Sequence, residues 1–206
     1  MGDHPVRAAG EALPAGSRVI EVRVPEVRHL FNEIDPSPFH DRDLDPRAEA
    51  FIVDSARDLP TSATLALRVL LERSLNLEAE ALVLQKATRA YFVQRSSARQ
   101  RELRDLFRRG RLSLVIALLF LAMVIVIGDV VVAWMPTSRV VSLVREGLII
   151  VGWVAMWRPL EVFLYDWWPI RGEVRLYDRL ARMPVRVEST EPTINEAEQG
   201  TTPGRR

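Results

Sequence analysis

Two periodicities divide the chain. Residues 18–24, RVIEVRV, alternate, with Ile20, Val22 and Val24 on one face and Glu21 and Arg23 on the other, the signature of a half-buried strand. Residues 64–72, TLALRVLLE, put Leu65, Leu67, Val69 and Leu71 on a common face and predict a second strand. Residues 183–189 alternate Val185 and Val187 with Arg186 and Glu188; this third strand follows Pro184, which assigns it to a sheet edge. Between these runs the period becomes helical. Pro25 opens a short helix with Val27, Leu30, Phe31 and Ile34 on one side, leaving His29 on the polar side. Asp45-Pro46 reads as an N-cap followed by a proline at the first helical position, with Phe51, Ile52, Ser55 and Leu59 as the inner stripe and Pro60 as the stop. Asn76 caps a long helix that carries Glu78 and Glu80 in its first turn and meets no strong breaker before Gly110.

Farther along, periodicity gives way to an apolar run. From 112 to 134 the sequence reads LSLVIALLFLAMVIVIGDVVVAW, with Asp129 its sole charge. At about 1.5 Å per residue a helix of this length spans a hydrocarbon core of about 30 Å. A polar turn at 135–138 precedes a second candidate span, about 139–162, whose charges Arg145, Glu146, Arg158 and Glu161 lie near its two ends. So short a turn sends the second helix back beside the first. An antiparallel pair folded about these positions brings Asp129 and Arg145 to equal depth, and an intramembrane ion pair between them is expected, with Glu146 toward the outer interface. Gly147 and Gly152 are small positions that would allow close helix approach.

Arginine placement orients the hairpin. Arg95, Arg99, Arg101, Arg104, Arg108, Arg109 and Arg111 precede the first span, Arg171, Arg175, Arg179, Arg182 and Arg186 follow the second, and the connection holds only Arg139. The positive-inside rule then sets both termini in the cytoplasm of an inner-membrane, multi-pass protein. Trp134 suits the outer interface, and Tyr165, Trp167 and Trp168 the inner one. Arg104, Arg108, Arg109 and Arg111 are the expected contacts to lipid headgroups. The fold class predicted is an α+β membrane protein. A two-span transmembrane helical hairpin at 111–170 is inserted into a small cytosolic domain with a few-stranded sheet. That domain comprises 18–110, including a long juxtamembrane helix, and a returning helix and strand at 171–189. Residues 1–17 and 190–206 read as disordered flanks.

Composition narrows the chemistry. The absence of cysteine excludes disulfides and thiolate chemistry, and a net charge of +1 excludes binding of nucleic acid by bulk charge. Residues 1–17 have no apolar core, so no cleavable secretory signal is expected, and Val6 stands where myristoylation expects Ser or Thr. The densest polar cluster is the loop DPSPFHDRDLD at 35–45. His40, Asp41, Asp43 and Asp45 are its candidate metal ligands, but the glycine and closing glutamate of a calcium loop are missing, with Pro46 and Ile52 in their places. A self-capped structural loop is preferred, with docking through Phe39 as a further reading. No nucleophile elbow, phosphate loop or zinc-protease motif occurs, so no catalytic residue and no cofactor is assigned. The function expected is a non-enzymatic membrane protein whose hairpin anchors a cytosolic domain that binds a protein partner or self-associates into a homo-oligomer, with the lipid bilayer as the other partner. The alternative is an oligomeric pore or transport subunit using ionisable residues in the spans. A hydrolase using His29 and His40 is the third class.

Overall fold

The computed structural model describes residues 7–32, 43–74, 76–134 and 139–189. The chain divides into two compact units: Met1–Ser97 with Val174–Arg206, and Ala98–Glu173, which in sequence lies inside the first.

The first unit is mixed α and β. Strands β1 (Arg7–Gly10), β2 (Arg18–Val24), β3 (Leu65–Leu71) and β4 (Val185–Ser189) form one sheet in the order β1-β4-β3-β2. β2 with β3 and β3 with β4 pair in parallel; β1 with β4 pair antiparallel. Register aligns the apolar face in rows: Ile20, Leu67 and Val185 in one, Val22, Val69 and Val187 in the next. Parallel neighbours require crossover connections. Between β2 and β3 the crossover is a 3-10 turn, Val27–Leu30, and helix α1, Pro46–Arg57. Between β3 and β4 it begins with the first part of α2 (Leu77–Trp134) and ends with the last part of α4 (Trp167–Ala181). Ile52, Val53 and Ala56 of α1, Leu84 and Phe92 of α2, and Leu176 and Leu180 of α4 join the strand residues in one core. Each such side chain removed from water contributes about 1.5–3 kcal/mol.

Local chemistry explains the element ends. Asp45 Oδ1 accepts from the amides of Arg47 at 2.9 Å and Ala48 at 3.3 Å, and Pro46 opens α1. Asn76 Oδ1 accepts from Ala79 N at 3.1 Å at the start of α2. Arg179 closes the α4 end by donating to the carbonyls of Pro60 and Ala63 at 3.0 and 2.9 Å.

Three features depart from the sequence reading. Arg7–Gly10 is a strand, although RAAG shows no alternation, because its place rests on backbone pairing with β4 rather than on buried side chains. β4 is an inner strand, flanked by β1 and β3. Pro184 precedes it and supplies only a carbonyl, which accepts from Leu67 N at 2.9 Å, so no ladder donor is lost. The core stripe of α1 is Ile52, Val53, Ala56 and the partly buried Leu59; Phe51 is 52% exposed. The second compact unit, Ala98–Glu173, is closed at its ends by Arg99, whose Nε lies 2.8 Å from Glu173 Oε2. Ile34, the polar turn at 135–138 and the tail at 190–206 lie outside the described residues.

In the second unit α2 continues to Trp134 and α3 spans Arg139–Glu161. Pro159 lies inside α3, and a five-residue π turn, Val162–Asp166, follows it and leads into α4. Two helical stretches, Leu77–Trp134 and Arg139–Ala181, are long and apolar enough to cross a membrane. Their most apolar windows are only 17% and 11% buried, so those windows lie outside the core to which the outer parts of α2 and α4 contribute.

Gly10 has φ +97°, and a Cβ there would stand 2.6 Å from the Val185 carbonyl oxygen. Gly16 has φ +82° with nothing within 4 Å. Gly10→Ala should therefore destabilise the chain by more than the roughly 1–2 kcal/mol of an alanine forced into left-handed backbone, and Gly16→Ala by no more than that. Thermal unfolding of the two variants in detergent checks the order.

Candidate functional site

The paired helices of the second unit meet at small residues and at ion pairs, among them Asp129 with Arg145. A Cβ on Gly110 would meet Val162 Cγ1 at 2.7 Å, and one on Gly152 would meet Leu121 Cδ1 at 2.6 Å, so both glycines admit a side chain of the opposite helix. Gly147 has nothing within 4 Å and plays no such part. These contacts are placed symmetrically about positions 135–138, as an antiparallel pair requires. On the same register Arg145 Nη2 donates to Asp129 Oδ1 at 3.1 Å. The two side chains are 50% and 60% exposed and surrounded by exposed apolar positions, among them Val126, Val130, Leu143 and Val144. Glu146 is exposed.

At the opposite end of the pair an aromatic cluster locks the helices. Phe107 packs against Phe163 and Trp167 with ring centroids 6.1 and 6.3 Å apart. The Trp167 indole N–H donates to the Phe163 carbonyl at 2.9 Å, and the Arg171 guanidinium stands 5.3 Å from the Trp167 ring. Arg158 pairs with Glu161 at 2.9 Å. Arg104, Arg108, Arg109 and Arg111 are all exposed on α2.

In the first unit the acidic loop offers little. His40, Asp41 and Phe39 lie outside the described residues. Asp45 is committed to capping α1, and the Asp43 carbonyl accepts from Asn32 N at 2.8 Å. Among the described residues no three His, Asp or Glu side chains are grouped as a metal site. His29 is exposed. The outward face of the sheet carries Glu21, Arg23, Arg68, Arg186 and Glu188, and their charges answer one another: Arg23 bonds Glu21 at 2.9 Å, Arg186 bonds Glu188 at 3.1 Å, and Arg68 lies 3.6 Å from Glu188.

Among the described residues, the titratable group whose surroundings shift it most, Tyr91, was not singled out by the sequence reading. The Tyr91 hydroxyl donates to Glu49 Oε2 at 2.5 Å, and Arg95 Nη2 reaches both that carboxylate at 2.8 Å and the Tyr91 oxygen at 2.7 Å. Burial, followed by the hydrogen bond to Glu49, pushes the phenol well above its ordinary value near 10. The four-residue spacing of Tyr91 and Arg95 could have suggested their contact, but nothing local points to Glu49 on another helix. The arrangement ties α1 to α2 through hydrogen bonds and an ion pair.

Comparison with models of protein families, with characterised proteins and with solved structures finds no match to this chain.

The Tyr91 group generates a pH prediction. Its folded pKa is raised, so its contribution is complete below pH about 10 and is lost as pH rises through the folded value. Tyr91→Phe should cost about 1 kcal/mol at neutral pH, the ordinary worth of such a bond, and should flatten the loss of stability above pH 10. Unfolding midpoints of the two proteins from pH 7 to 11 provide the check.

Proposed function

We propose that this chain is a membrane-anchored interaction protein. Residues of about 112–134 and 139–162, within the unit 98–173, insert as a helical hairpin, the four-stranded unit stays on the cytoplasmic side, and copies associate through the hairpin. The arginines on both sides of the hairpin, set against Arg139 alone in its connection, support that orientation.

The observation that carries the reading is the setting of Asp129 and Arg145. A continuous apolar surface such as that around Leu119, Leu143 and Val154, each about two-thirds exposed, would promote aggregation in water but is at home in hydrocarbon. The ion pair is not at home there. An unpaired charge at a helix centre costs about 2.5–3.5 kcal/mol on insertion scales, and a pair half open to lipid recovers only part of that. A second copy laid over the pair removes it from lipid and adds packing and polar contacts, which are the terms that drive helix association in membranes.

Mass in mild detergent tests the assembly. A dimer is expected; a monomer would overturn self-association, and a ring of four or more copies would favour a pore or transport subunit. Reporter fusions at both ends should read cytoplasmic. A charge swap tests the pair. Asp129→Arg alone should lower the amount of folded, membrane-inserted protein several-fold, and Asp129→Arg with Arg145→Asp should restore at least half of it. A double variant no better than the worse single one would show that the pair does not hold the two helices in register.

A further inference from the structure

The arginines before the first span are not equivalent on the helix. Arg101, Arg104, Arg108 and Arg111 succeed one another at intervals of three, four and three, which keeps them in one stripe. Arg109 is turned about 100° away from Arg108. The side of α2 packed against the second helix carries Gly110, whose absent Cβ leaves room for Val162 and Phe163. The stripe borders a concavity of about 750 Å3 lined by Arg101, Arg104, Asp105, Phe107, Arg108 and Arg111.

Pairing separates these arginines from their neighbours. Arg99 is held by Glu102 at 2.7 Å and by Glu173 at 2.8 Å. Arg111 Nε donates to the Phe107 carbonyl at 3.3 Å, which lays its guanidinium along the helix. Among the described residues Arg101, Arg104 and Arg108 have no carboxylate within ion-pair distance, and Asp105, in the same lining, bonds to none of them. Three unanswered guanidinium groups therefore share one open strip of the α2 surface.

The stripe changes character at one residue. Past Arg111 the same face continues as Leu112, Val115, Leu119, Ala122 and Val126, all exposed, with Leu119 67% open. From Leu112 to Ala122 the helix rises about 15 Å, half the thickness of a hydrocarbon core. A strip that is cationic for about three turns and then apolar for one leaflet's depth matches one class of molecule, a phospholipid with an anionic headgroup. Its phosphate would lie among Arg104, Arg108 and Arg111, where guanidinium forks suit phosphate oxygens, and an acyl chain would lie along Val115, Leu119 and Ala122.

We infer that this face of α2 holds an anionic phospholipid as a retained ligand, beyond the general attraction of basic residues to a charged surface. The site rests on the bilayer placement of the hairpin proposed above.

The full chain is reconstituted in nanodiscs containing phosphatidylcholine with phosphatidylglycerol, released into mild detergent, and its bound lipid counted by native mass spectrometry. Phosphatidylglycerol should be retained in preference to phosphatidylcholine. Arg104→Gln with Arg108→Gln should lower that retention about thirty-fold, taking each arginine at the usual worth of a basic residue near an anionic surface. Arg109→Gln, which removes the same charge one step round the helix, should change it less than about threefold. Equal retention of the two lipids, or an equal loss in Arg109→Gln, would overturn the site. Binding of soluble glycerol phosphate as tight as that of the lipid would overturn the acyl contact and with it the proposal. Alkaline carbonate extraction of the same proteins separates this outcome from failure of the anchor. Protein that stays in the membrane without lipid preference defeats the site alone, and protein that is washed out defeats the membrane placement and the site together.

Discussion

The parallel pairing of β3 with β4 is the constraint on which the rest of the chain depends. Parallel neighbours cannot be joined by a tight turn, so the chain after Leu71 must cross over before Val185 can lie beside Leu67. The crossover is begun by the first part of α2 and finished by the last part of α4. Phe92 stacks on Tyr177 at 6.3 Å and Ser96 donates to Asp178 at 2.5 Å, so the two halves of the crossover are fastened to each other within the first unit. With both halves held, the intervening residues 98–173 can be any segment whose ends match, and here they are a pair of long apolar helices.

Within that pair, small residues permit close approach and one charged contact joins the helices. Gly110 and Gly152 each receive a side chain from across the helix interface, and Arg145 bonds Asp129. The wide turn at Val162–Asp166 comes directly after Pro159, where the regular hydrogen-bond ladder has lost a donor. It is also where Val162 and Phe163 face Gly110, so the irregular backbone and the missing side chain meet at one place.

How legible these features were depends on whether their cause is local. The strands β2 and β3 are visible because an alternation of period two needs only neighbouring residues, and the caps Asp45 and Asn76 because a side chain and three amides suffice. The meeting of Asp129 and Arg145 follows from their even spacing about positions 135–138 in the sequence. β1 was not visible: Ala8 and Ala9 bury little, and the strand exists through hydrogen bonds to β4, which lies near the other end of the sequence. The same distance in sequence hides Glu49 from Tyr91, and it misassigned β4 to an edge, since nothing in VRVES tells which strands will flank it. The arginine stripe lay in between. Its charge was plain in composition, but which arginines stand unpaired on one face required the contacts of Arg99 and Arg111.

The crossover also fixes an order of events during synthesis. β3 is complete at Leu71, but the strand that fills its second edge begins only at Val185. At the ordinary elongation rate of about 5–20 residues per second, that edge stays open for on the order of ten seconds. Throughout that interval the apolar helices of 98–173 are emerging, and they are finished before the sheet is. The second unit is thus the first that can adopt its final contacts, and β4 is the late closing strand. Among the described strands β1 is made before the others and waits longest, because the strand it pairs with is the last of the four to be made.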